Sequence, residues 1–362
     1  MTYAIGIVNY RTYTDLGRCL ETVKSQSQAP IATFVLDVSP DPAKHAEMRA
    51  RYVDVHWDEV PNRGFGAGAN SILDRVRQNC PDAQFVLILN PDVELEPGYA
   101  ENLLIEMSLR ADTAMASGKL LRPDRKSIDS AGILLPRNRR PRDRGSEELD
   151  LGQYDRTETV FGATGAAIMI RMSAVQDLSI DGEFFDEDFF LYHEDTDACW
   201  RAHLLGWRVL YVASATAVHT RRWRQNERFS TAPEVRRHSF KNHYLQMIKN
   251  EKGSDFLLNA PIIVSWEIAR FGFAVLRDPA VLPAYHQALR LSGRAWRKRR
   301  FLQKRARTRR PLEPLDRPFT RKAHPLEVRS APAPADHDSA SPSEIDRTGS
   351  EPDLHRQRSR RL

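Results

Sequence analysis

Cysteine is scarce: Cys19, Cys80 and Cys199 are the three in 362 residues. They are odd in number, widely spaced and without a metal-ligand pattern, which excludes a disulfide framework and fits reduced thiols in the cytosol. Also lacking is an unbroken apolar run long enough to cross a bilayer. The most apolar stretch, Phe256 to Leu276, is interrupted by Asn259, Pro261, Glu267 and Arg270. An amphipathic interfacial helix is expected there, and a spanning helix is not. No basic n-region or apolar h-region precedes the strand-like AIGIVNY after Met1-Thr2-Tyr3, so a cytoplasmic chain is expected. Acid is missing from one block altogether: Arg290 to Arg310 holds eleven basic residues and no Asp or Glu. Without those eleven the formal charge of +6 becomes −5, so the positive balance belongs to this block and not to the rest of the chain.

The composition, 41% hydrophobic and 28% charged, suffices for one large domain with an appendage. Residues 1–250 are read as that domain, 251–310 as an amphipathic and basic helical extension, and 311–362, rich in Pro, Ser, Asp and Arg, as a disordered tail.

Over the first ~120 residues, strands and helices alternate in the manner of βα units. Strands are expected at Tyr3–Val8, Thr33–Asp37, Val53–Trp57 and Phe85–Leu89. Helices are expected at about Asp15–Gln26, Pro42–Arg51 and Ala67–Gln78. The expected fold is α/β, with a mainly parallel sheet flanked by helices, and such sheets bind ligands beyond the carboxyl ends of their strands. Three of those ends carry polar punctuation: Asn9, Asp37 and the turn Asn90-Pro91-Asp92.

Taken alone, several of these residues have ordinary readings. Asp37 can simply close a strand and start a turn, and Asn90-Pro91-Asp92 can be a polar turn after a buried strand. The stretch Asn62 to Asn70, with Arg63, Gly64 and Asn70, lacks the spacing of a P-loop or dinucleotide fingerprint. A flexible loop entering a helix is the commoner meaning of such a stretch, although it also permits a close backbone approach to a phosphate or base. Arg122 to Glu148 is basic and poor in apolar residues, and is expected to be an excursion over one side of the site.

The chain's densest chemistry lies between Phe184 and His219. Ala198, Ala202 and Leu205 recur at helical spacing and Gly206 sits where a helix ends, which predicts a helix from Glu194 to Leu205 with Glu194, Asp195 and Asp197 in its first turn. Two aromatic and acidic clusters precede it, Phe184-Phe185-Asp186-Glu187 and Phe189-Phe190-Leu191-Tyr192. Rings that must be buried beside carboxylates that need partners suit the wall of a cleft.

FFDEDFFLYHEDTDACWRAHLLGW followed by A-x-A-V-H, with LILNPDVELEPG upstream, resembles the signatures of the family 2 inverting glycosyltransferases, most closely their rhamnosyltransferase-like branch. The Asn62–Asn70 stretch and the small-residue run Phe161 to Arg171 support it, and the resemblance covers about residues 3 to 250. It implies the type-A nucleotide-sugar fold, with Asp195 as general base and Asp92 and His219 as ligands of a divalent cation, Mg²⁺ or Mn²⁺. Asn9, Asp37, Arg63, Gly64, Asn70, Asn90 and Gly165 would surround a dTDP- or UDP-sugar. Glu194, Asp197 and Trp223 would support the site. The acceptor would be a glycan or lipid-linked sugar, and the product a cell-surface polysaccharide.

The chemistry agrees with the assignment. A sugar hydroxyl is a poor nucleophile until a carboxylate within hydrogen-bond reach takes its proton. An aspartate of ordinary pKa, roughly 4, would be ionised at neutral pH without tuning. The apolar stretch and the eleven cations together suggest peripheral attachment to the inner face of the plasma membrane. Two rival readings are a nucleic-acid-binding protein using the basic block, weakened by the lack of any recognisable module, and a nucleotide-sugar-binding protein without catalysis.

Overall fold

The computed structural model describes residues 1–221 and 229–306. Trp223, Arg222, Arg224 and Arg228, and the tail read as disordered from Pro311, lie outside them.

Every residue of β1 (Tyr3–Asn9) is buried, as for a central strand covered on both faces. It is followed by α1 (Tyr13–Lys24), β2 (Thr33–Asp37), α2 (Pro42–Arg51), β3 (Val55–Glu59), α3 (Phe65–Asn79) and β4 (Phe85–Leu89). α2 starts where its sequence says it should: the Asp41 side chain accepts from Lys44 N–H at 3.2 Å, and Pro42 occupies the first turn. The chain continues through β5 (Val93–Leu95), α4 (Tyr99–Ser108), β6 (Thr113–Leu121), β7 (Ile128–Ser130), β8 (Ile133–Leu134), β9 (Arg142–Asp143), β10 (Glu158–Thr159), β11 (Ala167–Arg171), α5 (Met172–Leu178), α6 (Glu194–Leu204) and β12 (Arg208–His219).

The main sheet has the strand order β10-β12-β6-β11-β4-β1-β2-β3. β3, β2, β1 and β4 are mutually parallel, as their alternation with helices requires. β11 lies between β4 and β6, antiparallel to both, so the sheet beyond β4 is mixed. Apolar clusters fill both faces: α3, α5 and α6 cover one, α1 and α4 the other. The chain from Arg208 to His219 forms one strand, β12, whose register against β6 shifts between Val212 and Thr216.

The basic segment 122–148 is tied into the fold more closely than its composition suggests. β7 pairs with β6, and Asp129 and Ser130 are wholly buried. Arg139 is buried and grips Glu251 through two bonds of 2.7 and 2.9 Å, and Arg144 donates to the Ala131 carbonyl at 2.8 Å. These arginines act as internal struts because a guanidinium can satisfy carboxylates and carbonyls in a fixed plane.

Three long helices close the described chain: α7 (Pro233–Asn250), α8 (Gly253–Arg277) and α9 (Pro283–Ala306). α9 runs against α7, and Lys298 reaches Asp186 at 2.6 Å and Glu183 and Asp188 at 3.2 Å each. Lys249 of α7 meets Asp186 and, at 2.8 Å, Asp197, which also takes Arg201 at 3.1 Å. Burial opposes the charge on Asp186, but the two ammonium groups outweigh it and hold that carboxyl well below the usual carboxylate range.

α8 is different: it buries only Asn259, Ile263 and Ala274, and leaves Leu257, Ile268 and Leu276 at least 70% exposed. By length and composition it is apolar enough to cross a membrane, although the sequence interruptions argued against that class. Two of them turn toward α7 instead: Glu267 pairs with His243 at 2.9 Å and accepts from Tyr244, and Arg270 lies over the rings of Phe240 and Tyr244.

Candidate active site

A cleft of about 940 Å³ opens beside the carboxyl ends of β1 and β4 and is walled by the N-terminus of α6 and by α7 and α8. Asn90, Asp92, Gly165, Glu194, Asp195 and His219 all line it.

The β5–β12 register brings Asp92 and His219 together. β5 pairs antiparallel with the end of β12, His219 standing opposite Val93, and Thr220 N–H donates to the Asp92 carbonyl at 2.9 Å. His219 Nε2 is 3.4 Å from Asp92 Oδ1, while Nδ1 is 2.7 Å from Asp129 Oδ2. Burial opposes protonation of this imidazole, but the bonds and charges of Asp129 and Asp92 prevail and raise it to about 9. An imidazole with one nitrogen pinned by a carboxylate and the other turned to a second carboxylate has the arrangement of a metal-binding histidine.

Among the described residues no three His, Cys, Asp or Glu side chains converge in a way that could hold an ion. Asp92 and His219 are ligand types that a divalent cation accepts, but two side chains are only a partial set.

Asp195 sits at the start of α6, fixed from two sides. Oδ2 accepts the Gly165 N–H at 2.9 Å and Oδ1 the Thr196 N–H at 2.6 Å. Gly165 is close enough that an added β-carbon would lie 3.2 Å from Oδ2. Its enclosed position raises the Asp195 carboxyl, and the two N–H groups only partly offset this. That departs from the expectation of an untuned aspartate. Glu194 is raised further, to about 8, by burial and by the Asp195 charge, and its Oε2 is buried without a hydrogen bond. At neutral pH Glu194 thus keeps its proton.

The turn into α6 is strained. Phe190, Tyr192 and His193 have φ of 67°, 71° and 70°, a region costing of order 1–3 kcal/mol for each such residue. Asn242 of α7 supports it, its Nδ2 lying 2.7–2.9 Å from the carbonyls of Phe189, Leu191 and Tyr192.

The other expected site residues lie elsewhere. Asp37 is wholly buried beside Asn9, accepting from Tyr13 Oη at 2.6 Å and contacting His45 Nδ1 at 3.1 Å. Asn9 Oδ1 caps the turn at Thr12, leaving its buried Nδ2 without a partner. Arg63 is exposed and paired with Glu187 at 2.6 Å. Gly64 starts α3 at φ 96°, where a β-carbon would strike the Phe190 carbonyl. Asn70 exchanges bonds of 2.8 Å with the backbone of Phe185. Asp197 faces the core, held by Lys249, Arg201 and Asn250. Four cleft or support residues escape the sequence reading: Asp129, Arg140, Trp266 and Arg270. Asp129 had one signal, an acid set between the apolar Ile128 and Ala131 in an arginine-rich stretch.

No family model matches the chain. Over 236 residues it is 28% identical to the N-acetylglucosaminyl-diphospho-decaprenol L-rhamnosyltransferase of Mycobacterium tuberculosis, a match covering 59% of this chain and 74% of that protein. Over 302 residues it is 24% identical to the low-salt glycan biosynthesis hexosyltransferase Agl10 of Haloferax volcanii, covering 80% and 92%. Both relatives are glycosyltransferases, and the likeness is consistent with a family 2 glycosyltransferase.

The solved structures give the glycosyltransferase its fold. It superposes on S. aureus TarS 1–349 in complex with UDP-GlcNAc with a TM-score of 0.52 at 13% identity, over 85% of this chain and 92% of that one. GalNAc-T7 with UDP, GalNAc and Mn²⁺ gives 0.54 at 11% identity, over 69% of this chain, which spans 48% of that protein's length. The mixed sheet and flanking helices are those of the type-A glycosyltransferases.

Proposed function

We propose that this glycosyltransferase is metal-dependent and inverting, and moves a deoxyhexose, L-rhamnose first among them, from a dTDP or UDP donor to a glycan or lipid-linked acceptor in cell-surface polysaccharide synthesis. The observation that carries the reading is Asp195, a carboxylate oriented by two backbone N–H groups in the same cleft as the Asp92–His219 pair. The sugar and the acceptor rest on the likeness to the mycobacterial enzyme named for both.

Asp195 takes the proton of the acceptor hydroxyl as that oxygen attacks the anomeric carbon. Gly165 and Thr196 keep its oxygens aimed, and protonated Glu194 leaves Asp195 the only ionised member of the pair. Attack in one step inverts the anomeric centre and needs no covalent carboxylate. A divalent cation on Asp92 and His219 Nε2 would supply charge neutralisation for the leaving diphosphate. Asn90, at the end of β4, is a polar group lining the donor side of the cleft.

The outer face of α8 supports attachment to a membrane surface. Its exposed Leu257, Leu258, Ile268 and Leu276 are followed on α9 by exposed Trp296 and Phe301 among Arg290, Arg297, Arg300 and Lys304. A polynucleotide is less suited to α9, because Arg294, Lys298, Arg299 and Arg305 are already bonded within the protein.

A panel of nucleotide sugars tests the reading, scoring free nucleoside diphosphate with Mg²⁺, Mn²⁺ or chelator. Metal-dependent release from a deoxyhexose donor is expected. Full activity in chelator contradicts the metal role.

A further inference from the structure

The wall of the cleft supplied by α7 and α8 carries groups that proton removal at Asp195 does not use. Arg270 lies over the rings of Phe240 and Tyr244, 4.1 and 5.1 Å from their centroids, so its guanidinium is held in place. Its nearest carboxylate, Glu267, is 3.6 Å away and already committed to His243 and Tyr244. Arg270 Nη1 is buried with no hydrogen-bond partner, and so is Trp266 Nε1. The two residues are four apart on α8 and share a face. Arg140, from the segment before β9, stands 5.5 Å from the Trp266 ring centroid, and all three line the cleft.

Two further arginines lining this cleft are committed to carboxylates within the protein. Arg221 is bonded to Asp143 at 2.7 Å, and Arg236 grips Asp278 through bonds of 3.0 and 2.9 Å. Buried N–H groups without partners are costly and call for an explanation. Guanidinium and indole groups only donate, so the complementary ligand is rich in acceptors and negatively charged. A phosphate suits guanidinium forks especially well. Next to Arg270, Ile268 and Phe271 point outward from the same helix, 70% and 53% exposed. One helix thus presents anion donors inward and hydrocarbon outward.

We propose that Arg140, Trp266 and Arg270 form a subsite for a phosphate or diphosphate group esterified to the acceptor sugar. Calling the carrier an acceptor rests on the transfer reading above; the anion subsite itself does not.

Calorimetry of the full-length protein in EDTA tests it, with inorganic pyrophosphate and geranyl diphosphate as probes, since chelator removes any metal-assisted binding at Asp92 and His219. Arg270→Gln and Arg140→Gln are each expected to weaken binding of both probes by ~10-fold or more. Arg297→Gln, on the exposed face of α9, is expected to leave it within ~2-fold of the parent, the size of effect expected where no charged hydrogen bond is lost. Arg140 is exposed, so its variant remains informative if Arg270→Gln melts early.

Geranyl diphosphate binding ~10-fold more tightly than pyrophosphate, with the gap closed by Ile268→Gln, identifies a lipid carrier. Equal affinities identify a soluble phosphate ester. Parent-like binding in both arginine variants, or an equal loss in Arg297→Gln, overturns the subsite. Nucleotide-sugar turnover is scored separately: its absence alongside intact, arginine-dependent binding refutes transfer and leaves the subsite standing.

Discussion

His219 Nδ1 lies 2.7 Å from Asp129 Oδ2, a contact between residues ninety positions apart. Burial works against the charge on Asp129, but His219 and Arg221 outweigh it and keep the carboxyl below its ordinary value, so Asp129 is an ionised acceptor for the imidazole N–H. That leaves Nε2 to Asp92 and to whatever binds there.

Asp129→Asn should therefore weaken Mn²⁺-supported donor binding by ~10–100-fold without touching donor or metal directly. Calorimetry of donor with and without Mn²⁺ measures it. Because metal-free His219 holds its proton up to about 9, the metal must displace that proton. Apparent affinity should rise with pH below that value, by up to ~10-fold per unit. A pH-independent affinity argues against His219 as a ligand.

Glu194 is raised from 4.5 to about 8 in the fold. Between those values the folded protein holds a proton that the unfolded chain has lost, so stability falls as pH rises through the window, by ~1.4 kcal/mol per unit. Gln cannot ionise. Glu194→Gln should melt higher than the parent above pH 4.5, with the difference growing until about pH 8, and should retain transfer at neutral pH. Parallel melting curves from pH 5 to 8 would place the proton elsewhere.

The buried cluster of Asp186, Lys249 and Lys298 should show the opposite dependence. Its depressed carboxyl contributes stability that is present above the ordinary value of 3.8 and is lost as pH falls through that value toward the lowered one. Lys249→Ala leaves Asp186 and Asp197 short of a partner and should cost ~3–5 kcal/mol, read by urea unfolding at pH 7. A cost below ~1 kcal/mol would mean that the cluster is solvated.

Membrane attachment is best tested by substitution, since removing α8 would remove a wall of the cleft. The full chain should sediment with anionic vesicles at low salt and be released at high salt. Leu257→Gln, Leu258→Gln, Ile268→Gln and Leu276→Gln combined should weaken that binding, each side chain giving up roughly 1.5–3 kcal/mol of burial. Undiminished sedimentation would move the contact to the cations alone.

Much of this was legible in the sequence. The alternation up to β4 marked elements whose apolar periodicity is strong, and β2, α2 and β4 begin and end where expected. The Glu194 helix was equally plain. Side-chain direction was harder to read. Asp195 and Asp197 are two residues apart, roughly 200° around a helix, so one faces the cleft and the other the core. Asn70 and Gly64 match a donor-site motif yet fasten α3 to the turn at Phe185–Phe190. Glu267 and Arg270 looked like flaws in an apolar helix because nothing local says that their face meets α7.

The central claim is that Asp195 takes the acceptor's proton, and the direct measurement is transfer rate beside donor affinity in Asp195→Asn. Losing a general base costs 10²–10⁴-fold. The variant should bind donor within ~3-fold of the parent, since no donor contact is removed, and transfer at least ~10²-fold more slowly. Since burial raises the Asp195 carboxyl, the parent's kcat/KM should climb with pH through values above the ordinary aspartate range. Transfer by Asp195→Asn at near the parent rate would contradict the account and move the base to another carboxylate of the cleft.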